Sequence, residues 1–314
     1  VIVDSGQAVR NILVPAVHRA LLACDGVFLA VGDGTARLLR AGLGAAAGEL
    51  EWGQTSGLYH QRLGFAYEGF RRVLAAAHAA GRRIHVFAEP QLASDAADAG
   101  SAGRAAAYLA YEAICNETYA DYGCPVTCVW DARHQSTLMI ENVRAVHTHE
   151  FRETGWAPSP VFVHPERYLA GRNQVPLPLP AEVGWRITLS SMDDLPVIRA
   201  AVMDWAGRQG FTPLAAADVL LAVNEIATNG LVHGRPPVQV YGWRQQDTLT
   251  VQVSDRGGIP LPASAGYRPP DRTNHHGLWM ARQLADVLQT HTADSVTSVR
   301  LSFPRQLTHR DRPG

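Results

Sequence analysis

Residues 225–234 read Glu225-Ile226-Ala227-Thr228-Asn229-Gly230-Leu231-Val232-His233-Gly234. They lie in a helical pattern that starts near Pro213 and ends at Gly234. Positions four apart share one helix face. Glu225, Asn229 and His233 therefore form a polar stripe, while Leu221, Val223, Ile226 and Leu231 can face a core. A carboxylate one turn before a carboxamide can hold a water or hydroxyl with one group and a hard cation with the other. Phosphoryl transfer with magnesium uses parts of this kind, because its catalysis is mostly positioning and charge neutralisation. An amphipathic helix with a solvated polar face would show the same stripe.

The residues downstream sharpen the choice. Two strand-like runs, Val238–Trp243 and Thr248–Ser254, are joined by the polar turn Arg244–Asp247. The second run leads into Asp255-Arg256-Gly257-Gly258. Glycines after an Asp let backbone approach a planar ligand, while the carboxylate accepts a hydrogen bond from an exocyclic amine. A Pro/Gly/Ser-rich loop, 259–274, follows. Gly277-Leu278 then opens a helix expected through about Leu288, and a glycine there suits phosphates, since free N–H groups and the helix dipole converge. A last strand is expected at Thr297–Phe303. Upstream, Trp185–Ser190 reads as the first strand of this half. Asp193–Gln209 reads as a helix with Leu195, Ile198, Val202 and Trp205 on one face.

In this order the pieces resemble the ATPase domain shared by histidine kinases, gyrase and related chaperone and repair ATPases, the GHKL fold. They are most similar to the bacterial anti-sigma-factor serine kinases. Three motifs carry the likeness over roughly residues 184–306: Glu225-x-x-x-Asn229-Gly230-x-x-His233-Gly234, Asp255-Arg256-Gly257, and His275-His276-Gly277-Leu278. The resemblance implies an α+β Bergerat sandwich that binds Mg-ATP. It implies Glu225 as general base toward a serine hydroxyl, Asn229 holding magnesium, Asp255 meeting the adenine amine and Thr297 completing the base pocket. His233, Gly257, Gly277 and Leu278 complete the implied nucleotide site. Three positions depart from the family pattern: His275 replaces a lid glycine, Val296 stands where a glycine usually precedes the Thr, and Gly258-Ile259 shifts a second glycine. A Cβ at 275 would crowd phosphates if the backbone there needs positive φ.

The length of 314 residues favours two domains, and 46% hydrophobic with 18% charged residues argues for globular structure. A formal charge of −1 gives no electrostatic reason to expect nucleic acid. No apolar run reaches the roughly 18 residues of a membrane span, and no charged-then-apolar leader is visible. The expectation is a cytoplasmic protein without a membrane partner. Cys24, Cys115, Cys124 and Cys128 all fall in the first half. Their spacing suits neither a zinc knuckle nor a dense disulfide framework, so buried reduced thiols are expected.

Residues 171–183, with alternating prolines from Pro176 to Pro180, suggest an extended, stiff connector between domains at 1–170 and 184–306, with a tail at 307–314. In the first half, Ala-rich helical stretches at about 33–48, 64–80 and 102–122 alternate with apolar runs at 26–31, 84–88 and 125–131. That alternation implies an α/β sheet covered by helices. The Gly32-Asp33-Gly34-Thr35 segment hints at a phosphate loop, but the chain contains no lysine at all, so it lacks the Lys of one.

This half resembles the MEDS sensory domain of methanogen and methylotroph regulators, which is joined to kinase-like domains in actinobacteria. The matching pieces are His18-Arg19-Ala20-Leu21-Leu22, Phe28-Leu29 with Leu38–Leu43, Gly81–Glu89, Glu112-x-x-x-Asn116, and Cys128-Val129-Trp130-Asp131-Ala132-Arg133 followed by His147. The resemblance implies a RecA-like fold stripped of its phosphate machinery, sensing small molecules or redox state. His18, Glu89, Cys128, Asp131 and His147 are the candidate sensing residues, expected to converge at strand ends. His18 and His147 also read as ordinary core or surface histidines, Glu112-x-x-x-Asn116 also fits helix packing, and no metal set is expected in this half.

Three readings follow. The first is an anti-sigma factor and serine kinase that binds a sigma factor and phosphorylates an anti-anti-sigma (STAS) protein. The second is a catalytically weak or inactive switch with the same partners. The third, a sensor histidine kinase, ranks last because 150–183 is too short and proline-rich for a dimerising phosphoacceptor hairpin. A homodimer is compatible with the first two.

Overall fold

The computed structural model describes residues 1–53, 61–90, 99–152, 154–258, 260–270 and 276–305. The chain divides into two compact units: Val1–Gln61 with Ala66–Pro165, and Glu166–Gly314 with Arg62–Phe65.

The first unit is built on a four-stranded parallel sheet. Its strands are β2 (Gly26–Ala30), β3 (Glu51–Trp52), β4 (Ile84–Ala88) and β5 (Val126–Cys128), in the order β3-β2-β4-β5. A short parallel pair joins β1 (Ile2–Val3) to β6 (Trp130–Asp131). Every residue of β4 is buried, as expected of a parallel strand covered on both faces. One face packs on α1 (Val14–Ala23) and α2 (Asp33–Leu43) through Val17, Leu39, Val27, Leu29 and Phe87. The other gathers Ile84 and Val86 with Leu74 of α3 (Leu63–Ala79) and with Tyr119, which follows α4 (Ala99–Thr118). The segment after Gly44–Glu49 supplies the two-residue β3. Beyond the sheet, α5 (Thr137–Val146) precedes a hairpin of β7 (His149–Arg152) and β8 (Gly155–Pro158). All four cysteines are free thiols.

The second unit is a five-stranded antiparallel sheet of β9 (Trp185–Leu189), β10 (Val238–Gln245), β11 (Thr248–Asp255), β12 (Val287–Ala293) and β13 (Val296–Pro304). The strand order is β12-β13-β11-β10-β9. Alternation along the strands puts Leu249, Val251 and Val253, and Val299, Leu301 and Phe303, on one face. There they meet α7 (Leu195–Arg208), α8 (Pro213–Val232) and α9 (His276–Leu284), with α8 touching both its helical neighbours. Thr212 caps α8, its hydroxyl accepting the Ala215 N–H, and Pro213 sits at the first turn, where its missing N–H costs nothing.

Several expectations need correction. The helix opened at Gly277-Leu278 ends at Leu284, and Val287–Ala293 is a strand rather than its last turn. Leu221 is 44% exposed instead of facing the core; the buried stripe of α8 runs through Val219, Ala222, Val223, Ile226 and Ala227. That helix is also long and apolar enough by composition to cross a membrane, although its stripe forms part of the core described above. Residues 171–173 belong to α6 (Pro165–Asn173). Beyond it, Leu177 is buried and the Pro178 carbonyl accepts a hydrogen bond from Arg300 Nη2 at 2.6 Å. The expected tail, His275 and Ile259 lie outside the described residues.

Candidate functional site

In the second unit, Asn229, His233, Asp255, Leu278 and Thr297 line one pocket of about 460 Å³, together with Ile226, Leu261 and Arg268. Two structural rules bring them together. Helical spacing puts Asn229 one turn before His233, which is the C-cap of α8. Strand alternation puts Asp255 on the Val251–Val253 face of β11 and Thr297 on the Val299–Leu301 face of β13. The Asp255 Oδ1 accepts the Gly257 N–H at 2.7 Å, and the carboxylate also accepts from the backbone at Arg235. Burial raises its pKa, with those two hydrogen bonds pulling the other way. A carboxylate so fixed is aimed rather than mobile. Close approach explains the glycine: a Cβ at Gly234 would lie 2.3 Å from Asp255 Oδ1.

Glu225 and Gly277 stand beside this pocket rather than in its lining. A Cβ at Gly277 would lie 2.7 Å from Glu225 Oε2 and 3.4 Å from Asn229 Nδ2. The start of α9 thus passes directly over both side chains, and a glycine is what lets it do so. Gly257 likewise supplies backbone rather than lining, through its N–H to Asp255. The departure at Val296 does not fill the pocket: alternation turns it to the opposite side of β13 from Thr297, where it is 36% exposed. Thr297 is buried, its hydroxyl 3.3 Å from that of Thr292.

The sensing residues expected in the first unit separate into two groups. Glu89 and Asp131 line a cleft of about 600 Å³ with Gly32–Thr35 and Arg133 at the ends of the parallel strands. There the Glu89 carboxylate accepts the Gly32 N–H at 2.7 Å. The amide at the start of α2, where a phosphate loop would hold its anion, is therefore occupied by the protein's own carboxylate. Burial raises the Glu89 pKa, against hydrogen bonds from Gly32 and Thr35. Asp131 is tied to Arg133, whose hydrogen bond lowers its pKa.

Cys128 and His147 meet elsewhere, on Glu112. Cys128 Sγ lies 2.8 Å and His147 Nε2 3.2 Å from Glu112 Oε2, and the Tyr67 hydroxyl donates to Oε1 at 2.6 Å. Burial works to raise the Glu112 pKa, but the hydrogen bonds from His147, Cys128 and Tyr67 outweigh it and hold the carboxyl at about 2. Burial, then the Glu112 charge, pushes the Cys128 thiol well above its usual range. His18 joins neither group; it is exposed on α1. The expected convergence of all five is thus corrected to two separate sites. Glu112 is the residue the sequence undervalued, although the Glu112-x-x-x-Asn116 spacing had marked it. Asn116 does the packing, its Nδ2 donating to the Val146 carbonyl at 2.8 Å next to His147.

Comparison with protein families assigns both halves. Residues 189–303 match the histidine kinase-like ATPase domain, and residues 1–148 match MEDS, the methanogen/methylotroph DcmR sensory domain. The chain joins a MEDS domain to a histidine kinase-like ATPase domain. The first is a mixed α/β domain and the second α+β. No curated protein matches the chain. Among solved structures it is similar to the RsbU and RsbW domains of Rv1364c from Mycobacterium tuberculosis, with 22% identity and a TM-score of 0.30 over 38% of this chain. The match spans about a third of that structure, 31%. It is also similar to the histidine kinase domain of a blue-light activated histidine kinase from Erythrobacter litoralis, with 18% identity and a TM-score of 0.28, covering 67% of this chain and 99% of the other.

Proposed function

We propose that the ATPase domain binds Mg-ATP in the pocket of Asn229, Asp255 and Thr297 and acts as a serine protein kinase and anti-sigma factor. In this reading the second unit is a Bergerat sandwich, and the first is a RecA-like sheet whose phosphate loop is closed by Glu89. The observation that carries the proposal is the convergence of a base, a carboxamide and an aimed carboxylate around one pocket and one glycine helix start.

Each residue has a role its position supports. Asp255 accepts the adenine amine, and Thr297, its partner across the strand pair, completes the base contact. The α9 start at Gly277 offers backbone N–H groups to phosphates, which the helix dipole favours. Asn229 suits magnesium, a hard cation that takes one or two protein oxygens and the substrate phosphates. Bound there, magnesium would neutralise phosphate charge. Glu225 takes the proton of a serine hydroxyl as its oxygen bonds to the γ-phosphorus. The bond from that phosphorus to the bridging oxygen breaks, and ADP leaves with the electron pair. The proposed protein substrate is a STAS anti-anti-sigma factor, the proposed second partner a sigma factor, and the proposed setting the cytoplasm.

Calorimetry of Mg-ATP on the full chain, with Asn229→Ala as control, tests the site. Micromolar binding lost in the variant, followed by serine phosphorylation of a STAS protein, supports the kinase. Binding without any transfer would leave a nucleotide-dependent partner switch, and no binding would sink the assignment of the pocket.

A further inference from the structure

Glu112 on α4, Cys128 at the end of β5 and His147 just after α5 bring a carboxylate oxygen, a sulfur and a ring nitrogen within 4.8 Å of one another. The contacts behind them fix which atoms face inward. The Tyr67 hydroxyl occupies Glu112 Oε1 and leaves Oε2 turned to the cluster. His147 Nδ1 lies 2.7 Å from the Val143 carbonyl, an acceptor only, so Nδ1 carries a proton. Nε2 then faces Glu112 Oε2 at 3.2 Å. A nitrogen lone pair and a carboxylate oxygen at that distance repel unless a positive charge, a proton or a cation, lies between them.

We propose that these three residues form a binding site for a zinc-class divalent metal. Ligand bonds of roughly 2.0–2.3 Å around a tetrahedral ion set donor atoms roughly 3.3–3.6 Å apart. The observed 3.2 Å from His147 Nε2 to Glu112 Oε2 falls just short of that spacing, and Cys128 Sγ, at 2.8 Å, has to move outward by about 0.5–0.8 Å to reach it. A histidine whose second nitrogen donates to a backbone carbonyl, and a carboxylate held by a hydroxyl, are the usual outer contacts of metal ligands. The sulfur disfavours magnesium and calcium and favours zinc or a zinc-like divalent ion. On binding, Cys128 gives up its thiol proton to solvent and becomes the thiolate ligand. All three residues border a pocket of about 330 Å³ that also contains Cys115 and Cys124. A fourth coordination position is therefore within reach of water or a small donor molecule.

The test uses the reduced full-length chain titrated with cobalt(II), then zinc(II). One equivalent of cobalt should give a thiolate-to-metal charge-transfer band with visible ligand-field bands, both erased by zinc. Cys128→Ser should abolish the charge-transfer band, and Cys115→Ser and Cys124→Ser should keep it. Glu112→Gln and His147→Gln should weaken binding at least tenfold in chelator competition, with circular dichroism confirming that each variant is folded. X-ray absorption of the zinc-loaded wild type, which requires no variant, should read one sulfur among nitrogen and oxygen neighbours. No stoichiometric cobalt spectrum, a band that survives Cys128→Ser, or a metal shell without sulfur would each overturn the site.

Discussion

Asp255 on β11 stands opposite Thr297 on β13 in the antiparallel register. Both side chains fall on the sheet face that also carries the core, at the point where the apolar column of each strand gives way to the pocket. Asp255→Ala therefore removes a fixed acceptor without opening a core cavity. A hydrogen bond to a charged group is worth about 1.5–3 kcal/mol, so Mg-ATP affinity should fall roughly ten- to a hundredfold by calorimetry. Unchanged affinity would detach Asp255 from the base.

Glu225 is expected to serve the transfer step more than binding, because it lies beside the pocket lining. Glu225→Ala should lower the rate of serine phosphorylation by roughly a hundred- to ten-thousandfold while leaving ATP affinity within about threefold. Equal rates for variant and wild type in a phosphate-transfer assay would remove the base assignment.

At Gly277 an added methyl would meet Glu225 Oε2 at 2.7 Å. The carboxylate is the movable end of a flexible side chain, so the fold should tolerate Gly277→Ala and the carboxylate should be displaced. Transfer should fall at least tenfold with the melting temperature nearly unchanged. A large loss of stability instead would mean that the helix, and not the carboxylate, had yielded.

His85 provides a pH signature for the first unit. Burial, with a smaller contribution from Arg83, lowers its pKa from 6.5 to about 4, and its ring stacks on Phe87. Above pH 6.5 the ring is neutral in both folded and unfolded chains, and stability is full. As pH falls toward 4 the unfolded chain takes up the proton first, so up to about 3 kcal/mol is lost across that window. Denaturant unfolding of the first unit at pH 7 and pH 4.5 should show the loss, and His85→Gln should flatten it. The same pH slope in the variant would assign the effect to other groups.

How much could be read from the chain differs between its halves. The α8 stripe and the Asp255 strand end were legible because helix and strand periods fix which side chains share a face. The strand Val287–Ala293 was not, because the apolar spacing of Leu284, Val287 and Leu288 continues the helical pattern past its actual end at Leu284. In the first unit the three apolar strands and three Ala-rich helices were legible, but α1, α5, the β7–β8 hairpin and the grouping of polar residues were not. Glu112 and Cys128 come from separate elements and meet only through the parallel crossovers, which local spacing does not encode. The four-residue step from Glu112 to Asn116 described a helix face correctly and gave no sign of the thiol opposite it.

The Arg300 guanidinium holds the Pro178 carbonyl with Nη2, and with Nε and Nη2 it also holds Gln252 Oε1 on the neighbouring strand. Arg300 lies three residues from Thr297, and Gln252 three residues from Asp255. The proline-rich segment is thus moored to the two strands whose ends frame the pocket. A pull on that segment would act on both strands only three residues from the pocket lining.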